Sequence, residues 1–262
     1  MNRIDSRFAE AKQGSRILLA PFVTVGYPTL AISRELALGY VEAGADMIEV
    51  GVPFSDPIAD GPTVQEASQI ALDGGTRLAD AFALVADIRA KTTVPILVMG
   101  YANPFMRHGF HELAGNLALS GADGLITPDM LPEHASDLES ATAEQGIHLI
   151  RFAAPTTPTE RLSRIADGAK GFLYCVSVAG VTGSRANLDA ALPDFLYRVR
   201  RATTTPRVVG FGISKPQHIR SLQGQAEGVI VASALIDIVR SNPRNSAVTA
   251  AAKLVRELVD AT

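Results

Sequence analysis

The feature that most restricts the fold is a series of short apolar runs, regularly spaced and separated by segments of helical periodicity. The first four are Ile17–Val23, Met47–Gly51, Ile96–Gly100 and Gly124–Ile126. Four more follow at Ile147–Phe152, Gly171–Val176, Val208–Phe211 and Gly228–Val231. Each run is too short for a helix, and most are apolar at successive positions, as in strands buried on both faces of a parallel sheet. The intervening segments space their apolar residues for helices, for example Leu78, Phe82, Val85 and Ile88, or Val248, Ala251, Val255 and Leu258. In Thr157-Pro158-Thr159-Glu160 the pattern predicts an N-cap at Thr157, with Pro158 at the first helical position. Eight strand–helix units, preceded by a helix over Ile4–Lys12, predict an α/β fold. The reading is a (β/α)8 TIM barrel with an extra N-terminal helix, one domain over residues 1–262, and an open doubly wound sheet is the alternative.

Composition removes several function classes. The 24 basic and 27 acidic residues give a net charge of −3 with no basic block, so nucleic acid is not an expected partner. The single cysteine, Cys175, makes no internal disulfide and reads as a buried small hydrophobe. The start of the chain is charged and no apolar run is long enough to span a bilayer, so a soluble cytoplasmic protein is expected. His108 and His111 stand three apart without a completing ligand, and no metal site is expected.

In a barrel of this kind the chemistry gathers at the C-terminal ends of the strands. Glu49 falls inside the second apolar run, where a lone charge costs several kcal/mol (roughly) unless it is paired or protonated. It reads either as a general acid or base with an elevated pKa or as a carboxylate neutralised by a nearby cation. Asp60, at the end of the Pro-rich loop that follows, reads equally as a helix N-cap and as a second catalytic carboxylate. Gly210-Phe211-Gly212-Ile213-Ser214 after the seventh run and Ala232-Ser233-Ala234 after the eighth stand where this fold binds phosphate, although a tight turn explains the Gly-x-Gly as well. Gly180-Val181-Thr182-Gly183-Ser184 could add a further N–H group and a lid. Phe22, Met99, Tyr101, Ile126 and Phe152 lie at or near strand ends and read as core or pocket.

The string from Ile48 to Gly61, with Ala20–Pro28, closely resembles the tryptophan synthase α chain family. The likeness continues in order through Met99–Pro104, Ile126–Asp129, Ala154–Pro158, Ala179–Gly183 and Gly210–Ser214. The resemblance implies a (β/α)8 barrel lyase that cleaves indole-3-glycerol phosphate to indole and glyceraldehyde 3-phosphate with no cofactor in this chain. It assigns proton transfer to Glu49, stabilisation of charge at the indole nitrogen to Asp60, orientation of Glu49 to Tyr174, and retention of Asp60 under a lid to Thr182. Gly183, Phe211, Gly212 and Ser233 match phosphate-binding positions; Phe22, Met99, Tyr101, Ile126 and Phe152 match the indole pocket. Pro53 and Asp56 match the loop that meets a β chain, which carries pyridoxal phosphate and joins the α chain in an α2β2 tetramer. A stand-alone lyase and a non-catalytic allosteric partner are the alternatives. Activity with and without a β chain separates the first of these, and retention of both carboxylates speaks against the second.

Two positions depart from the family pattern. Ala232 replaces a usual glycine and would crowd a phosphate if its φ were positive. Arg151 stands where an apolar residue is usual, and the sequence leaves open whether it points to solvent or pairs with a carboxylate.

Overall fold

A computed structural model describes residues 1–176, 190–210 and 212–262. Its elements run α1 (Arg3–Gln13), β1 (Leu18–Thr24), α2 (Leu30–Glu42), β2 (Ile48–Gly51), α3 (Pro62–Asp73), α4 (Leu78–Arg89), β3 (Ile96–Met99), α5 (Ala102–His108), α6 (Phe110–Ser120) and β4 (Gly124–Ile126). After a 3₁₀ turn at Pro132–His134 come α7 (Ser136–Glu144), β5 (His148–Ala153), α8 (Thr159–Ala166), β6 (Leu173–Val176), α9 (Leu192–Ala202) and β7 (Arg207–Gly210). The chain ends with α10 (Pro216–Ser221), β8 (Gly228–Val231), α11 (Ser233–Ser241) and α12 (Arg244–Val259).

Each strand pairs in parallel with the next and β8 returns to β1, closing the barrel and excluding the open sheet. All residues of β1, β2, β3, β4, β7 and β8 are buried, as expected for strands enclosed between a filled interior and a ring of helices. Apolar burial on this scale is the main driving force for folding, at about 1.5–3 kcal/mol per large side chain removed from water.

The extra helix α1 closes the N-terminal end of the barrel. Its Asn2 cap accepts from the Ile4 N–H and donates through Nδ2 to the carbonyls of Asp123 and Gly146, at 2.8 and 2.9 Å. Ile4 is wholly buried, and Phe8 meets Phe172 with ring centroids 6.0 Å apart. One local expectation is corrected at α8: Pro158, at φ −62° and ψ 150°, is the cap rather than the first helical residue, and Thr157 does not cap the helix. The Thr157 hydroxyl instead accepts from the Ala154 N–H at 3.0 Å, closing the turn after β5.

A repeated ionic device holds this same end. Asp46, Asp123 and Glu227 lie just before β2, β4 and β8, and each accepts a backbone N–H at the start of the preceding odd-numbered strand. The donors are Leu19 at 2.9 Å, Ile96 at 2.8 Å and Arg207 at 2.7 Å. Each carboxylate also takes guanidinium donors: Arg7 and Arg16 on Asp46, Arg3 and Arg89 on Asp123, and Arg207 on Glu227. Arg151, left open by the sequence, is paired. Its Nε and Nη2 bind Glu139 Oε1 at 3.1 and 2.7 Å, and Nη1 reaches the carbonyls of Ile165 and Asp167 at the end of α8.

Candidate active site

Strand register decides which side chains meet inside the barrel. Phe22 of β1 lies beside Glu49 of β2, and Gly51 beside Met99 of β3. On the opposite wall Phe152 of β5 lies beside Tyr174 of β6, their rings stacked at 4.7 Å and 26°. Three glycines near strand ends make room for these rings. A Cβ at Gly51 would stand 2.2 Å from the Phe22 ring, one at Gly100 2.5 Å from Phe105, and one at Gly210 2.2 Å from the Tyr174 hydroxyl. Such distances are well inside van der Waals contact, so the aromatic rings occupy the volume those side chains would need.

One cavity gathers Phe22, Glu49, Asp60, Met99, Tyr174, Gly212 and Ser233, seven of the residues singled out in the sequence. Its volume is about 30 Å³. Ile213 and Ala232, from the two strings expected to bind phosphate, also line it, and Val64 and Ile230, not singled out in the sequence, complete the lining. Of these, Ile230 could have been found by alternation, standing two residues before Ala232 on an inward-facing strand position. Ile126 is wholly buried at the level of Met99 and does not line the cavity. Phe152 reaches it only through Tyr174 and borders a neighbouring cavity of about 190 Å³. Pro53 is buried at the base of the loop after β2, whereas Asp56 is exposed and accepts a 2.5 Å bond from the Ser55 hydroxyl. Thr182, Gly183 and Phe211 lie outside the described residues.

The two carboxyls occupy unlike surroundings. Glu49 is 3% exposed; burial, then the charge of Asp60, pushes its pKa up to about 8. Its Oε2 is buried without a hydrogen-bond partner, and among the described residues no cation pairs with it. The described residues thus supply no cation for the reading of Glu49 as a neutralised carboxylate. For Asp60, burial raises the pKa to about 6 while a hydrogen bond from Tyr101 opposes the rise. The cap of α3 is Gly61, so Asp60 is not needed at the helix start and its side chain turns to the Tyr101 hydroxyl, 2.9 Å away. Tyr174 keeps its proton, held by burial and by the two carboxyls. Cys175, on the same strand, is an inert thiol pushed up to about 12 by burial.

Across the cavity lie Gly212 and the start of α11. Gly212 has φ +79°, a conformation that disfavours any side chain. Ala232 caps α11 at φ −120°, so the crowding expected of its methyl group at a positive φ does not arise. α11 begins at Ser233, which lines the cavity, and the Leu235 and Ile236 N–H groups bond the Ala232 carbonyl at 3.0 and 3.1 Å; a helix start of this kind is a setting suited to an anion. No Lys or Arg lines the cavity among the described residues. Neither metal-ligand clusters nor helices long and apolar enough to cross a membrane occur among the described residues.

Comparison with known proteins follows the same lines. A family model described as tryptophan synthase alpha chain matches residues 8–262. The chain is 49% identical over 259 residues to the tryptophan synthase alpha chain of Roseiflexus castenholzii, covering 98% of this chain and 99% of that one. It is 46% identical over 262 residues to the corresponding chain of Chloroflexus aurantiacus, covering 100% and 98%. Among solved structures, tryptophan synthase of Mycobacterium tuberculosis superposes with a TM-score of 0.92 at 35% identity, covering 99% of this chain and 98% of that one. The alpha subunit from Legionella pneumophila gives 0.91 at 32% identity, covering 100% and 98%.

Proposed function

The chain belongs to the tryptophan synthase α chain family, and from that premise we propose that it cleaves indole-3-glycerol phosphate to indole and glyceraldehyde 3-phosphate by a retro-aldol reaction. The observation that carries the proposal is one cavity holding two carboxyls whose environments set their pKa values apart. Glu49, protonated near neutrality, gives its proton to indole C3 and turns the ring into an electron-accepting iminium. The resulting carboxylate takes the proton of the glycerol 3′-hydroxyl. The C–C bond then breaks, its electron pair restores the aromatic ring, the aldehyde forms, and Glu49 is again protonated. Asp60, ionised, faces the positive charge that develops at the ring nitrogen. Tyr174 borders Glu49 and orients it, and Phe22 and Met99 pack against the ring.

The phosphate is held by Gly212, Ser233 and the start of α11, with Gly183 and Phe211 assigned to the same task, and Thr182 to holding Asp60, by family likeness. Backbone donors suffice for the dianion without a lysine or arginine. The chain requires no cofactor of its own. The released indole passes to a β chain in an α2β2 assembly. Ile58, Met106 and Leu131, exposed to 75%, 62% and 51%, follow β2, β3 and β4 and are the apolar side chains we assign to such a partner, together with Asp56. Pro53, buried at the base of the same loop, is assigned with Asp56 to that contact by family likeness.

The test is indole release from indole-3-glycerol phosphate by the purified chain, repeated after a β chain is added. Because Asp60 must be ionised and Glu49 protonated, kcat/KM should be bell-shaped in pH. It should fall below about 6 and above about 8, both limbs belonging to the coupled pair. A profile flat from pH 5 to 9 contradicts the proton-transfer scheme, and absence of indole under both conditions contradicts the activity.

A further inference from the structure

We infer that Tyr101 is a positioning residue for Asp60, clamping the loop after β2 at both ends so that the carboxylate stays aimed into the cavity. The inference rests on the reading of Asp60 as the carboxylate at the indole nitrogen.

Tyr101 follows Gly100 at the end of β3, caps α5 and is 2% exposed. A single side chain makes three contacts with the neighbouring loop. Its ring stacks on Phe54, near the start of the loop, at 5.2 Å and 29°. Its hydroxyl accepts from the Ala59 N–H at 3.1 Å and donates to Asp60 Oδ2 at 2.9 Å, at the loop's end. Between these points the segment 55–58 closes on itself, with Ile58 N–H bonded to Asp56 O and Asp60 N–H to Pro57 O. Tyr101 has a firm footing of its own, because the next N–H, of Ala102, is held by the Asp129 carboxylate. A phenol that accepts from one residue and donates to the next sets the direction of the Asp60 side chain and spares it the rotamer entropy of finding that direction when substrate arrives. The hydroxyl stays protonated, since burial and the charge of Asp60 both oppose its ionisation, so it remains a donor across the working range. The other titratable groups around Asp60 among the described residues are Glu49 on β2 and Tyr174 on β6; Asp129 acts on Tyr101.

Tyr101→Phe keeps the ring and its stack while removing the hydroxyl. The acid limb of kcat/KM should move up by about one pH unit, the scale of one hydrogen bond to a charged group, while the limb near 8 stays in place. The substrate phosphate also titrates near the acid limb, but it does so equally in both proteins, so the difference isolates Asp60. At pH 7, kcat should fall about tenfold with little change in KM or in affinity for inorganic phosphate. Asp60→Asn, measured in parallel, should lower turnover about 10²-fold. If Asp60→Asn retains full turnover, the reading of Asp60 fails. If Asp60→Asn is impaired but Tyr101→Phe leaves the acid limb unmoved, the clamp is overturned and the reading of Asp60 survives. Should Tyr101→Phe not fold, Phe54→Leu loosens the same clamp from its other end and becomes decisive: kcat lowered with phosphate affinity intact supports the clamp, and unchanged kcat overturns it.

Discussion

Replacing Glu49 by Gln is expected to cut indole formation by about 10²-fold or more, the scale of a lost general acid and base, and to spare the protein a loss of stability that the wild type suffers as pH rises. The two effects have one cause. The folded protein holds the Glu49 proton up to about pH 8, whereas the ordinary value of such a carboxyl is 4.5. Between these values the native state binds more protons than the unfolded chain, so the wild-type protein loses stability as pH rises through the window. The contribution is fully present below 4.5 and lost above 8. Glutamine resembles the protonated form and does not titrate, so the variant escapes the loss, which is of order a few kcal/mol. Urea unfolding at pH 5 and pH 8.5, beside the indole assay, checks both statements. Unchanged turnover would sink the catalytic role, and an equal stability difference at the two pH values would sink the buried proton.

The largest stability effect is expected at the opposite end of the barrel. Asp46→Ala leaves Arg7, Arg16 and the Leu19 N–H without their shared acceptor, in a position where the carboxylate is fully buried. Breaking a buried ion pair from one side costs about 3–5 kcal/mol. Both guanidinium groups retain about a third of their exposure and can recover some hydration, which places the expected loss near 3 kcal/mol. Indole formation by the folded fraction should change less than about twofold, since additivity holds for sites without shared partners. A loss under 1 kcal/mol by chemical denaturation at pH 7 would show that β1 and β2 are held by apolar packing alone.

The barrel is legible in the sequence because its strands are buried on both faces and therefore read as unbroken apolar runs. Glu49 stood out for the same reason, being a charge inside such a run. Asp60 was less legible. Whether it capped the helix depended on a one-residue difference in where α3 begins, and only the cap geometry at Gly61 removes that role. The bond from Tyr101 joins residues 41 apart in sequence, and nothing local to either announces it. The carboxylates before β2, β4 and β8 were invisible for a related reason, since their partners are fixed by strand register and by where the long arginine side chains fold back. The start of α8 was misplaced by one residue because Thr157 and Pro158 satisfy a capping pattern that the turn after β5 uses instead.

The three glycines beneath aromatic rings also bear on how this chain can change over generations. Gly51 and Phe22, Gly100 and Phe105, and Gly210 and Tyr174 each divide a single volume between two positions. Within such a pair the effect of a substitution depends on its partner: a side chain added at the glycine is harmful while the ring remains and tolerable once the ring is smaller. Evolutionary paths through the mouth of the barrel are therefore epistatic in pairs, and two of the three pairs include a residue that lines the cavity.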